Sequence, residues 1–214
     1  MRQEYVYQAF NRFWHWAQAA LILFLGVTGF EIHGSIRFFG YAQAVRTHNA
    51  AALAFLVLII FAIFWHFTTG EWRQYTPTWT HLRAQAEYYL FGIFRNAPHP
   101  TRKTALRKLN PLQRLVYLGL KLLVIPVLAL SGLLYMFYRY PQHYDVVALR
   151  MEGLRTVALV HTIGAFLVLA FLIVHVYLIT TGRTLTSNLK AMITGFEELE
   201  EEGNASHEDQ KPRG

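Results

Sequence analysis

Two histidines in the last apolar stretch of the chain, His161 and His175, stand 14 residues apart. At 100° per residue, a helix over that stretch returns to within about 40° of a whole number of turns. Both imidazoles then leave one face, roughly 21 Å apart along the axis. One metal ion cannot reach both, because ligands to a single ion on one helix sit a turn apart. Two stacked haem groups, each taking one histidine from this helix, suit the spacing. Imidazole is a good axial ligand for haem iron, and a helix bundle surrounds the macrocycle with apolar side chains.

Two haem groups held this way need two further histidines at matching depths. His48, near the start of the second apolar stretch, opposes His161 at one end. At the other end His175 can be met by His15 or by His66. His48 and His66 are 18 residues apart, five turns on one face but roughly 27 Å, which overshoots the partner spacing by about 6 Å. That mismatch favours His15 and keeps His66 as the alternative ligand. His33 lies just past the first stretch, and His81, His99, His143 and His207 fall in connections or the tail, where a solvated side chain is expected.

The elements that must carry these residues are legible in the hydropathy. Of the 214 residues 54% are hydrophobic and only 15% charged, and the apolar ones concentrate in four runs, 13–30, 50–67, 112–137 and 157–179. Each is long enough to cross a hydrocarbon core of about 30 Å as a helix, the form in which spanning backbone satisfies its own hydrogen bonds. The expected fold is an all-α membrane protein, a bundle of four transmembrane helices. The first run is too long for a signal-peptide core and ends in "FEIHGS" without a small-residue cleavage site, so it reads as a retained span. The chain has no cysteine, which removes disulfides, iron–sulfur clusters and thioether-attached haem.

The net charge of +7 is distributed as a topology signal, not as a nucleic-acid footprint. Arg73, Arg83, Arg95, Arg102, Lys103, Arg107 and Lys108 fall in the connection between the second and third runs, which makes that loop cytoplasmic by the positive-inside rule. With four spans both termini are then cytoplasmic too. Within the loop "HLRAQAEYYLFGIF" reads as an amphipathic helix lying in the cytoplasmic interface. Residues 1–195 form the expected membrane domain, and 196–214, "FEELEEEGNASHEDQKPRG", an acidic tail of disordered composition. Lys121, a lone cation inside the third run, reads as snorkelling toward the headgroups, with a haem propionate or a proton path as alternatives. Pro126 is expected to kink the same helix. Gly26, Gly29, Ser131, Gly132 and Gly164 allow close approach of a helix or a flat macrocycle.

"NRFWHW" opening the first run, "RTHNAAALAF" opening the second, and the histidine pair in "LVHTIGAFLVLAFLIVHVYL" resemble the transmembrane cytochrome b subunits of quinone-linked bacterial redox complexes. That group includes the formate dehydrogenase gamma subunit, the b-type cytochrome of nickel–iron hydrogenases and the thiosulfate reductase cytochrome b. The resemblance implies two haem b groups, with His48 and His161 as axial ligands on the extracytoplasmic side and His15 and His175 on the cytoplasmic side. It also implies a quinone site near the cytoplasmic haem, where "RKLNPLQR" matches and points to Asn110, Gln113 and Arg114. Amide and guanidinium groups can hydrogen-bond a quinone carbonyl; the same residues also suit a helix start, with Asn110 as N-cap and Pro111 at the first position.

The function so implied is a membrane-anchoring electron-transfer subunit in the bacterial inner membrane. It would relay electrons between a partner on the extracytoplasmic face (a hydrogenase, a molybdenum enzyme with its iron–sulfur subunit, or a multihaem cytochrome c) and menaquinone or ubiquinone near the cytoplasmic face. Substrate chemistry would reside in the partner, and membrane lipid, not nucleic acid, would be the other contact. Two rivals are a metal or proton transporter using the membrane histidines and a haem-free anchor. The first predicts mid-span carboxylates, and no run has one at its centre; the second leaves the histidine pattern without a purpose.

Overall fold

The computed structural model describes residues 2–95, 97, 100–101, 108–139, 151–182 and 184–199. Helix α1 covers Ala9–Ile32, α2 Tyr41–Thr69, α3 Leu82–Leu90 and α4 Pro111–Gly119. A π-turn over Leu120–Val124 joins α4 to α5, Ile125–Arg139; α6 spans Met151–Ile179 and α7 Ser187–Thr194. Four stretches are long and apolar enough to cross a membrane: α1, α2, the α4–α5 unit and α6. Most of their large apolar side chains point outward, Ile60, Phe64 and Leu122 among them, which is the pattern of helices whose solvent is lipid.

The helices outrun the apolar runs at their ends. Helix α2 begins at Tyr41, nine residues before the second run, because Gln43, Arg46 and His48 can stay helical in the interface. Glu31, buried at the end of α1, sets this entry. Its Oε1 accepts the backbone N–H groups of Phe38, Phe39 and Gly40 at 2.7–2.9 Å, holding the last residues of the connection and the N-cap of α2 and so turning the chain from α1 into α2. At Pro126 the ring clashes with the carbonyl four residues earlier, here Leu122, and a π-turn over Leu120–Val124 lies just before it, accommodating that clash in a locally wider helix.

α1 packs chiefly on α2, and α5 chiefly on α6; the two hairpins touch each other far less than the helices within each. In the second hairpin the approach is close, since a Cβ on Gly164 would lie 3.1 Å from Leu128 Cδ1.

The segments that flank α1 and α7 meet on one side of the bundle. Strand β1, Arg2–Tyr5, pairs antiparallel with β2, Phe196–Leu199, in register Tyr5 to Phe196, and those two rings pack edge-on at 5.2 Å. The start of the acidic segment is therefore ordered, which composition does not reveal because strand pairing is a property of two distant segments. The rest of that tail, 200–214, lies outside the described residues, as do His99, His143, His207, Arg102, Lys103 and Arg107. The interfacial segment forms α3 and a 3-10 turn over Gly92–Arg95, with an Arg83–Glu87 pair one turn apart on its exposed side.

Candidate functional site

Four histidines form two facing pairs across the seam between the hairpins. At the end far from the termini, the rings of His48 on α2 and His161 on α6 have centres 6.4 Å apart, planes at 70°. At the terminal end, His15 on α1 and His175 on α6 stand 6.1 Å apart, planes at 52°. Two imidazoles bound to one iron from opposite faces place their ring centres roughly 6 Å apart, given metal–nitrogen bonds of about 2 Å. Both pairs stand at the separation that two imidazoles would need to share one metal centre.

Hydrogen bonds fix the tautomers of the far pair. Thr28 of α1 is fully buried, and its hydroxyl donates to the Phe24 carbonyl at 2.9 Å. It thus accepts from His48 Nδ1, also at 2.9 Å. His161 Nδ1 lies 3.1 Å from the Leu128 carbonyl and 3.2 Å from Ser131 Oγ. A carbonyl only accepts, so the proton is on Nδ1. In both rings Nε2 is left with the lone pair, the arrangement in which a metal-ligating histidine is held by its other nitrogen. Gly132 gives the His161 ring its clearance: a Cβ there would lie 2.9 Å from Cε1.

The terminal pair is held by packing. His175 stacks on Phe171 at 5.5 Å and 16°, and His15 meets Trp16 edge-on at 5.2 Å. The depth of His15 is set by ties from the first turns of α1 to α7: Arg12 Nη1 donates to the Ile193 carbonyl at 2.6 Å, and Trp16 Nε1 to the Met192 carbonyl at 3.1 Å. His15 Nδ1 is buried with no hydrogen-bond partner. A buried ring nitrogen is seldom left so; with Nε2 as the ligating atom, this end would lack the Nδ1 hydrogen bond that holds each ring of the far pair.

His66 is differently placed. Its Nδ1 donates to the Ala62 carbonyl, one turn back on α2, and its Nε2 accepts from the Tyr75 hydroxyl at 3.3 Å. Burial raises the pKa of the Tyr75 phenol, with Tyr117 and Glu71 adding to the shift, which keeps it protonated as that donor. The ring also packs edge-on against Trp14 at 5.5 Å. Both nitrogens of His66 are engaged within the protein.

Of the three residues expected at a quinone site, two close the start of α4. Asn110 Oδ1 accepts from the Gln113 backbone N–H at 2.8 Å, and Gln113 Oε1 accepts from the Asn110 N–H at 3.1 Å, a reciprocal capping box. Asn110 Nδ2 donates to Tyr89 Oη at 2.9 Å. Arg114 Nε donates to the Leu109 carbonyl and Nη1 to that of Thr76. Gln113 Nε2 and Arg114 Nη2 keep N–H groups beyond these bonds.

Sequence reasoning did not find Thr28, the Leu128 carbonyl or Tyr75, and it read Ser131 only as a small packing residue. The one local signal was a threonine between Gly26 and Gly29 in an otherwise apolar run. His33 caps the end of α1 and is exposed, and His81 takes a left-handed conformation before α3; neither joins a histidine pair. Among the described residues no three His, Asp or Glu side chains converge to hold a bare metal ion.

A family model described as prokaryotic cytochrome b561 matches residues 6–195, from just before α1 to the end of α7. A curated protein of Escherichia coli (strain K12), named "Putative cytochrome YdhU", is 31% identical over 198 residues, 90% of this chain and 74% of that protein.

Proposed function

This chain belongs to the prokaryotic cytochrome b561 family, multi-pass electron-transfer proteins of the bacterial inner membrane that carry haem b, and we propose that each of its two facing histidine pairs holds one haem. The observation that carries the proposal is the pair of ring separations, 6.4 and 6.1 Å, both on histidines from opposite sides of the seam. When bound, haem b supplies a one-electron redox centre at each end.

The chain's own residues do the rest. Thr28, Ser131 and the Leu128 carbonyl keep the protons of His48 and His161 on Nδ1 and leave Nε2 as the ligating atom. Phe171 and the ties of Arg12 and Trp16 to α7 hold His175 and His15 at one depth. The apolar spans exclude water from the seam. We take the terminal end as cytoplasmic, from the basic loop that shares it, and the His48–His161 end as the side that meets a partner redox subunit. Gln113 Nε2 and Arg114 Nη2 are the donors for a quinone carbonyl near the cytoplasmic end, with Asn110 holding the turn that presents them. The chain so built relays electrons between the partner and the quinone pool, and 1–195 is the unit that does it.

The test is a dithionite-reduced minus oxidised spectrum of the purified protein with its haem assayed. Two haem b per chain are expected, falling to one in H161A and one in H175A and staying at two in H66A. A wild-type protein with one haem or none overturns the two-site reading.

A further inference from the structure

Lys121 is the charge that the two pairs leave unexplained. It lies in the π-turn of the third span, and its Nζ does not reach outward: it sits 3.4 Å from the centre of the Tyr75 ring and 5.0 Å from that of Trp14. Among the described residues it has no carboxylate partner, because nearby Glu71 is paired with Lys108 at 3.0 Å. Two aromatic faces offset part of the cost of a cation at this depth, but they leave N–H groups of the ammonium without an acceptor. The cluster is rich in donors. The indole N–H of Trp14 is buried without a partner, as is that of Trp65, and the basic nitrogen of His66 already accepts from Tyr75.

The position of Lys121 ties this surplus to the terminal pair. Trp14 precedes His15 in the chain. Tyr117, one turn before Lys121, packs edge-on against Phe171 at 5.9 Å, and Phe171 stacks on His175. Lys121 is thus linked to the His15–His175 pair through intervening residues, Trp14 on one side and Tyr117 with Phe171 on the other.

We propose that Lys121, with the Trp14 indole N–H as second donor, binds a carboxylate of the group held by His15 and His175, a haem propionate. The proposal rests on the haem reading of that pair. An ammonium on a propionate does two things: it anchors the macrocycle in rotation about the His15–His175 axis, and its charge favours the reduced haem, raising that midpoint potential.

The experiment uses the full-length protein carrying haem labelled with 13C at the propionate carboxyls, in wild-type, K121Q, K121R and W14F forms. Haem is counted first, so a wild-type count below two fails the haem reading and is seen before any variant is compared. Spectroelectrochemical titration and redox-induced infrared difference spectra follow. K121Q is expected to keep two haems, to lower the midpoint of one of them only, the one lost in H175A, and to shift the 13C-sensitive carboxylate band. K121R restores both signals. If K121Q loses that haem, W14F, which keeps the charge, is expected to shift the band with both haems bound. An unmoved midpoint overturns the proposal. So does a lowered midpoint with an unmoved labelled band, which assigns the charge to another anion such as a lipid phosphate; a changed response to a quinone analogue with both signals unmoved assigns Lys121 to the quinone.

Discussion

The two ends of the bundle present the same residue pair in different settings. At the far end both imidazoles are held by hydrogen bonds, His48 to Thr28 and His161 to Leu128 and Ser131, and a glycine makes room for one ring. At the terminal end the rings are held by stacking and by contacts with α7, and His15 Nδ1 has no hydrogen-bond partner. A hydrogen bond at Nδ1 makes the ligand more basic and favours the oxidised metal. A bare Nδ1, with a cation nearby, favours the reduced one. In the di-haem reading the difference gives the far site the lower potential and points electrons toward the terminal end, where the candidate quinone donors lie.

The largest effect is expected from G132A. A Cβ there would lie 2.9 Å from His161 Cε1, so the ring must move from its hydrogen-bonded position. In the di-haem reading the far haem is then lost and the terminal one kept, a change from two haems to one that a haem assay reads directly. Loss of the terminal haem instead would place Gly132 at the wrong site.

T28V and S131A are expected to perturb the far site without abolishing either one. Each removes a hydroxyl that holds a far-end Nδ1, and losing such a partner commonly weakens metal binding on the order of 10–100-fold. The far midpoint should rise toward the terminal one in a redox titration, with the terminal midpoint fixed. Equal shifts at both sites would mean that the hydroxyls act on overall packing.

The smallest effect is expected from N110A. Losing the N-cap costs about 1 kcal/mol of local stability, and both haems and both midpoints should be retained. A denaturation midpoint checks the first part. In the quinone reading the response to a quinone analogue weakens as the turn presenting Gln113 and Arg114 loosens.

Much of this was written along single elements and so was legible in the sequence. The 14-residue spacing of His161 and His175 needs only the pitch of one helix, and the four spans need only a run of apolar residues. The depth mismatch that favoured His15 over His66 needs only the rise of two helices, and in the structure both nitrogens of His66 are engaged within the protein. What the sequence did not show depends on contacts between elements. Thr28 and His48 are 20 residues apart, Ser131 and His161 30, and β1 and β2 join segments before α1 and after α7. The quinone residues were ambiguous for a different reason. Asn110 and Gln113 satisfy a helix cap completely enough that their types alone do not reveal a second role.

The pairing of histidines, on which the comparison rests, is tested most directly by double variants. In H48A/H161A both substitutions fall in one pair, and one haem per chain should remain. In H48A/H175A they fall in different pairs, and no haem should remain. If the first protein retained none and the second retained one, His48 would share its haem with His175, and the account of two sites built across the seam would be contradicted.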